Sequence, residues 1–240
     1  MYLDSSQVIS HSFLAASGTR MLIYHQDRIP SQGPVLVVSN HRSFMDAPLL
    51  VAALGRSIRF ACHHYMGQVP VMRELVQKLG CFPLAESGQR QQQFFEQAIR
   101  LLQLSQMVGV FPEGASPMIN LTQPDQMSKF HRGFAHLALR AKVKNLAILP
   151  VAIASVEESV SSAVPLKMLS LFDPSEPLFD QPGWHPLVLY RRVNVLIGRP
   201  CWITNSQREY YQGKQAKTVV ADITDHCQTE IALLLRQGCD

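Results

Sequence analysis

Apolar positions along this chain follow two rhythms in turn. Val35–Val38 is an uninterrupted apolar run, the pattern of a strand buried on both faces. Further strands are predicted at Ser57–Cys62, with Ile58, Phe60 and Cys62 on one face, and at Cys81–Leu84, Met107–Phe111 and Leu146–Ala154. A last one is predicted at Leu187–Ile197, stopped by Gly198 and Pro200. Between them the period changes to that of helices, at 47–54 up to Gly55, at Val69–Leu79 up to Gly80, and at Gln89–Leu104 around Phe94, Ala98, Ile99 and Leu102. Lys129–Lys142 turns Phe130, Phe134, Leu137 and Ala138 to one side, and Thr218–Arg236 does the same with Val220, Ile223, Cys227, Ile231 and Leu234. Residues 5–24 predict one helix, Pro30–Pro34 a turn and 115–128 an irregular loop. With Pro165, Pro174, Pro177, Pro182 and Pro186, the stretch 155–186 predicts a long irregular excursion.

Strands that alternate with helices predict an α/β fold with a mostly parallel sheet flanked by helices on both faces. One domain is expected over residues 1–240. It comprises a helical lead-in over 1–34, an α/β core over 35–200 and a C-terminal helix in 201–240. In such sheets the site lies outside the carboxyl ends of the strands. His41 and Glu113 both fall just past such an end.

Composition narrows this picture. With 47 % hydrophobic and 17 % charged residues, the 240-residue chain can fill a sizeable core. The net charge of +4 is compatible with an acidic partner or an anionic membrane, and no nucleic-acid partner is expected. Cysteines 62, 81, 201, 227 and 239 are odd in number and form no C-x-x-C pair, which predicts free thiols in a reducing compartment. The first basic residue is Arg20, so no signal peptide is expected. No run reaches the roughly 18 apolar residues of a membrane span. A cytoplasmic protein, peripheral on the membrane surface, is the expectation. His63-His64 lacks neighbouring ligands at helical spacing, and no metal is expected. The cationic stretch 129–144 is either a solvated face or a surface for anionic lipid or an acidic acyl carrier.

The densest chemistry lies in VVSNHRSFMDAPLL, residues 37–50. On a continuous helix His41 and Asp46 would diverge by roughly 140°. Their side chains meet only if the chain turns between them, and Pro48 suits the first turn of a following helix. A carboxylate on imidazole Nδ1–H fixes the tautomer and makes Nε2 a general base. From spacing alone, His41 as an ordinary turn residue and Asp46 as a helix N-cap remains an open alternative.

NHRSFMD resembles the N-H-x-S-x-x-D block of the glycerolipid acyltransferases, the family typified by 1-acylglycerol-3-phosphate acyltransferase. VFPEGASP at 110–117 is similar to its F-P-E-G-T-R-S block, and ILPVAIAS at 148–155 to its V-P-V-A-I stretch. The blocks stand in the family's order. The resemblance implies transfer of a fatty acyl group from an acyl thioester, on CoA or on acyl carrier protein, to a hydroxyl of a lysolipid or other lipid alcohol. His41 and Asp46 would be the catalytic pair, and Arg42, Ser43, Arg90, Glu113 and Gly114 would contribute to the acceptor site. No cofactor would be bound. Without the G-x-S-x-G elbow of hydrolases, direct attack in a ternary complex is expected rather than an acyl-enzyme. The turns at Arg42–Ser43 and Gly114 are candidate sources of oxyanion donors.

Two positions depart from the family's pattern. Glu86 stands where its G-x-I-P-V-x-R block ends in arginine, and Ser116 stands at the arginine of F-P-E-G-T-R-S. The family associates both arginines with the acceptor phosphate. The first specific candidate, acylation of 1-acylglycerol-3-phosphate in phospholipid biosynthesis, therefore competes with a same-family acyltransferase for an acceptor without that phosphate. Thioester hydrolysis and a catalytically silent lipid- or carrier-binding relative are further alternatives. Intact His41 and Asp46 oppose the silent one.

Overall fold

The computed structural model describes residues 4–62, 74, 78–83, 90–114, 116–169 and 182–239. The predicted helix over Val69–Leu79, the His63-His64 pair and Glu86 lie outside these residues or are only partly covered by them.

Strand β2 (Val35–Ser39) sits in the middle of an eight-stranded sheet and is buried along its whole length. Its side chains divide the core. Val35 and Val37 join Leu49, Leu50 and Ile58 on one face, while Leu36 and Val38 join Leu102, Leu137 and Ile231 on the other. That is the physical content of a continuous apolar run, since every side chain of the strand meets a packed layer.

In chain order the described elements are α1 (Ser5–Ala16), β1 (Arg20–Tyr24), β2, α2 (Asp46–Leu54), β3 (Ile58–Cys62), β4 (Phe82–Pro83), α3 (Arg90–Gln103) and β5 (Met107–Val110). After these come α4 (Ser116–Ile119), α5 (Gly133–Arg140), β6 (Ala147–Pro165), α6 (Leu166–Leu169), β7 (Trp184–Ile197), β8 (Cys201–Trp202), α7 (Asn205–Gln212) and α8 (Ala216–Cys239). The strand order is β1-β7-β6-β2-β5-β3-β4, with β8 against β6. From β6 through β2, β5, β3 and β4 all pairings are parallel, and β1 pairs parallel to β7. Among the described residues, β7 and β8 run antiparallel to β6. The mostly parallel sheet with helices on both faces is thus present.

Four local expectations change. The helix predicted over 5–24 stops at Ala16, because Gly18 adopts φ +69 and releases the chain into β1. Residues 155–186 are not irregular throughout. β6 continues to Pro165 and pairs with β7 from Trp184 onward, so the two strands form a ribbon that outruns the rest of the sheet. Within 115–128 the short helix α4 forms, and the helix predicted from Lys129 begins at Gly133. The helix expected at Thr218–Arg236 forms as α8, and β8 and α7 precede it within 201–240. Among the described residues no helix is long and apolar enough to cross a membrane.

Gly109 in β5 has a packing reason. A Cβ there would lie 2.1 Å from the Phe60 ring, which fills the space above the glycine. Phe60 in turn stacks on Phe111, with centroids 5.2 Å apart, and Phe111 leads directly to the site.

Candidate functional site

The chain leaves β2 at Ser39 and turns before α2 starts at Asp46. The turn brings together the pair that a helix would separate, with His41 Nδ1 2.8 Å from Asp46 Oδ2. The His41 side chain is 15 % exposed and that of Asp46 fully buried. The imidazole therefore has one end in the protein and the other toward the surface. Its ring lies flat on Phe111, with centroids 4.0 Å apart and planes 10° from parallel.

Asp46 is not the N-cap of α2, a position held by Met45. Its carboxylate folds back over the turn. Oδ2 accepts from Arg42 N–H at 2.7 Å and Ser43 N–H at 2.9 Å as well as from the imidazole. Oδ1 accepts from the Tyr190 hydroxyl at 2.8 Å. Donors alone surround it, the arrangement of an acceptor-only carboxylate.

The flanking residues hold this turn in place. The Asn40 amide extends the sheet by one rung, donating to Ile153 C=O at 3.0 Å and accepting from Ile153 N–H at 2.8 Å. The Glu113 carboxylate accepts from His41 N–H at 2.9 Å and from Ser128 N–H. Burial raises the Glu113 carboxyl above its ordinary value, and the two N–H donors oppose that rise. Pro112, Glu113 and Gly114 form the turn after β5, with Gly114 at φ +72, where glycine carries no Cβ penalty. Glu113 thus joins the second motif to the backbone of the first.

The other residues of the expected acceptor site are placed as follows. Arg42 is 4 % exposed. Its guanidinium makes a bidentate pair with Glu158 at 2.8 and 3.0 Å and also donates to Thr122 C=O at 2.8 Å. Burial works against the Arg42 charge, but Glu158 outweighs it and raises the guanidinium further. The Ser43 hydroxyl donates to Val188 C=O at 2.7 Å and accepts from Met45 N–H at 3.1 Å. Arg90 is the first residue of α3, and Ser116 the first of α4. The oxyanion donors expected at the turns need correction. Arg42 and Ser43 N–H end on Asp46, and Gly114 N–H ends on Phe111 C=O at 3.1 Å. Those three groups are already spent.

Tyr190, Glu158 and Phe111 are site residues that motif reading did not single out for a role. Only Phe111 had a local signal, since it stands inside VFPEGASP.

The arrangement supplies an imidazole bound to a buried carboxylate, the parts that a general base requires. Cys81, Cys201 and Cys227 are free thiols. Burial pushes Cys81 up to about 11, and raises Cys201 and Cys227. Thiolate is the reactive form, so these thiols are poor nucleophiles near neutral pH. Alkylation of these three at pH 7.5 is accordingly expected to be slow and to leave the protein's chemistry intact, with peptide mass spectrometry following the adducts alongside an activity assay. Loss of activity in step with modification of one cysteine would contradict this. Among the described residues no group of three His, Cys, Asp or Glu side chains gathers as a metal site.

A family model described as Acyltransferase matches residues 20–154, more than half of the chain. The crystal structure of the 1-acyl-sn-glycerophosphate (LPA) acyltransferase PlsC from Thermotoga maritima is similar over 92 % of this chain and 76 % of that one, with a TM-score of 0.57 and 16 % identity. At that identity the likeness speaks for the fold. No curated protein matches by sequence.

Proposed function

The chain belongs to the acyltransferase family, and on that footing we propose that it transfers a fatty acyl group from a thioester, on CoA or an acyl carrier protein, to a hydroxyl of a lysolipid or lipid alcohol. The observation that carries this reading is the 2.8 Å bond between His41 Nδ1 and the buried Asp46 carboxylate, at the carboxyl end of β2. With Nδ1 donating to Asp46, Nε2 is the nitrogen that takes the hydroxyl proton. The acceptor oxygen attacks the thioester carbonyl as it loses that proton. The tetrahedral intermediate then collapses, the C–S bond breaks, and the leaving thiolate collects the proton from the imidazolium. Asp46 stabilises the imidazolium between these two steps. A base placed in this way contributes roughly 10²–10⁴-fold. Because its acceptor is a lipid, the protein is proposed to act at a membrane surface, peripherally and on the cytoplasmic side.

The test is a mass-spectrometric screen of purified protein with one acyl thioester and a panel of lysolipids. Formation of a new ester in step with thiol release is the expected result. Thiol release without any acceptor would replace the transferase reading with that of a hydrolase.

For the acceptor we propose a hydroxyl lipid without a terminal phosphate monoester. Bidentate arginine is the strong way to hold such a phosphate, and serine replaces it in neither geometry nor charge. Glu86 and Ser116 stand where the resembling family has arginines. The Arg42 guanidinium, a nearby substitute, is committed to Glu158. A charge-assisted hydrogen bond is worth about 1.5–3 kcal/mol, so kcat/KM for 1-acylglycerol-3-phosphate is expected to fall about 10–100-fold below that of an acceptor lacking the phosphate. Glu86→Arg combined with Ser116→Arg is expected to narrow or reverse the ratio. Strong preference of the wild type for 1-acylglycerol-3-phosphate would refute the proposal, and Arg90→Ala would then be the next variant to measure.

A further inference from the structure

We propose that Tyr190 is a positioning residue for the His41–Asp46 pair, held there by the β6–β7 ribbon; the inference rests on the general-base reading above. The tyrosine is 1 % exposed, and its hydroxyl donates to Asp46 Oδ1, the oxygen that His41 does not use. A buried tyrosine needs a partner for its hydroxyl, and here the partner is the carboxylate of the dyad. Burial and the facing Asp46 carboxylate push the phenol well above its ordinary range, so it remains a donor.

Several contacts show that the ribbon is built to present this group. Tyr190 pairs directly with Glu158 across the ladder, and these neighbours reach the two ends of the same turn, Asp46 and Arg42. Pairing shifts on either side of Glu157, where Ser155 opposes Val193, Glu157 opposes Arg192 and Glu158 opposes Tyr190. Val156 and Arg191 are therefore the extra residues of two bulges, a device that re-aims the side chains beside it. Val188 C=O takes the Ser43 hydroxyl, and Tyr190 C=O is itself held by the Thr19 hydroxyl at 2.9 Å. The carboxylate is thus fixed from both sides. The turn's N–H groups hold Oδ2 and the ribbon holds Oδ1. With Tyr190 removed, Oδ1 loses its donor and the carboxylate is held through Oδ2 alone, so its plane is less closely fixed against the imidazole.

The test is Tyr190→Phe, assayed below its unfolding temperature. The expected kcat is about 10–100-fold lower, the range seen when a group that orients a functional ligand is removed, with KM for both substrates unchanged. By NMR, the wild type is expected to show a downfield Nδ1–H resonance of His41 from its bond to Asp46, and the variant to show it broadened or lost. Ile231→Ala, in the core of α8 and fully buried, provides a comparison that lowers stability with kcat and the resonance retained. The unmodified protein provides an arm without any variant, because the Tyr190 hydroxyl proton should be protected from exchange with water. An unchanged kcat, an unchanged His41 resonance or a freely exchanging Tyr190 hydroxyl would each overturn the proposal. The NMR arms need no substrate, so absence of acyl transfer in the wild type would count against the proposed activity and leave the positioning role separately decided.

Discussion

His41→Ala is expected to lower kcat/KM for acyl transfer by at least 10²–10⁴-fold, roughly the contribution of a positioned general base, while the protein still folds. The fold survives because the side chain is not what holds the turn. His41 contributes its backbone N–H to Glu113 whatever its side chain. Asp46 keeps Arg42 N–H, Ser43 N–H and the Tyr190 hydroxyl when the imidazole is gone. Stacking on Phe111 is lost, and such ring pairs are worth about 0.5–1.5 kcal/mol. Circular dichroism and thermal unfolding measure that small loss, and steady-state kinetics the large one. Transfer at near wild-type rate by folded His41→Ala would end the general-base reading.

What the sequence made legible divides along physical lines. β2 was readable because burial on both faces leaves an unbroken apolar run, Val35–Val38, that is short enough for a strand and bounded by the turn at Pro30–Pro34. Spacing alone left the His41–Asp46 contact open, since it says only that the chain must turn if the two side chains meet. The resemblance carried by NHRSFMD pointed to the pair, and a turn is what separates β2 from α2. The end of α1 carried a signal in Gly18, which outweighs the apolar spacing that continues through Met21 and Leu22. The ribbon was hidden by its prolines. Pro186 pairs with Ser162 where β7 has no second strand neighbour among the described residues, since β1 joins β7 only from Arg192 onward, and such an edge does not ask for the missing N–H. Tyr190 and Glu158 reach Asp46 and Arg42 across 144 and 116 residues of chain. Neither residue has a pattern around it that points so far. Glu113 stood in a recognised motif, but its bond to the backbone of His41 is a tertiary fact that spacing does not encode.

Asp46→Asn is expected to cost more than one function at once. Four donors converge on this carboxylate. An amide presents one oxygen and one NH₂ group to them. Arg42 and Ser43 N–H are fixed by the backbone, so the amide oxygen is expected to face the turn and keep the His41 Nδ1–H bond. The NH₂ group then faces the Tyr190 hydroxyl, which must accept where it donated before. The imidazole tautomer is thereby retained, and what disappears is the charge that stabilises the imidazolium. That differs from a flip, in which Nδ1 would accept from the amide and Nε2 would hold the proton. The ¹⁵N shifts of His41 separate the two outcomes. After a flip kcat is expected to drop on the order of 10³–10⁴-fold, the scale that the same substitution reaches in a serine-protease triad through the wrong tautomer. With the tautomer retained the drop is expected to be smaller, because only the charge that stabilises the imidazolium is lost. Stability should fall by about 1.5–3 kcal/mol, the worth of a hydrogen bond to a charged group, and denaturant unfolding measures it. Wild-type kcat in a folded Asp46→Asn protein would mean that the buried carboxylate holds the turn and takes no part in the chemistry.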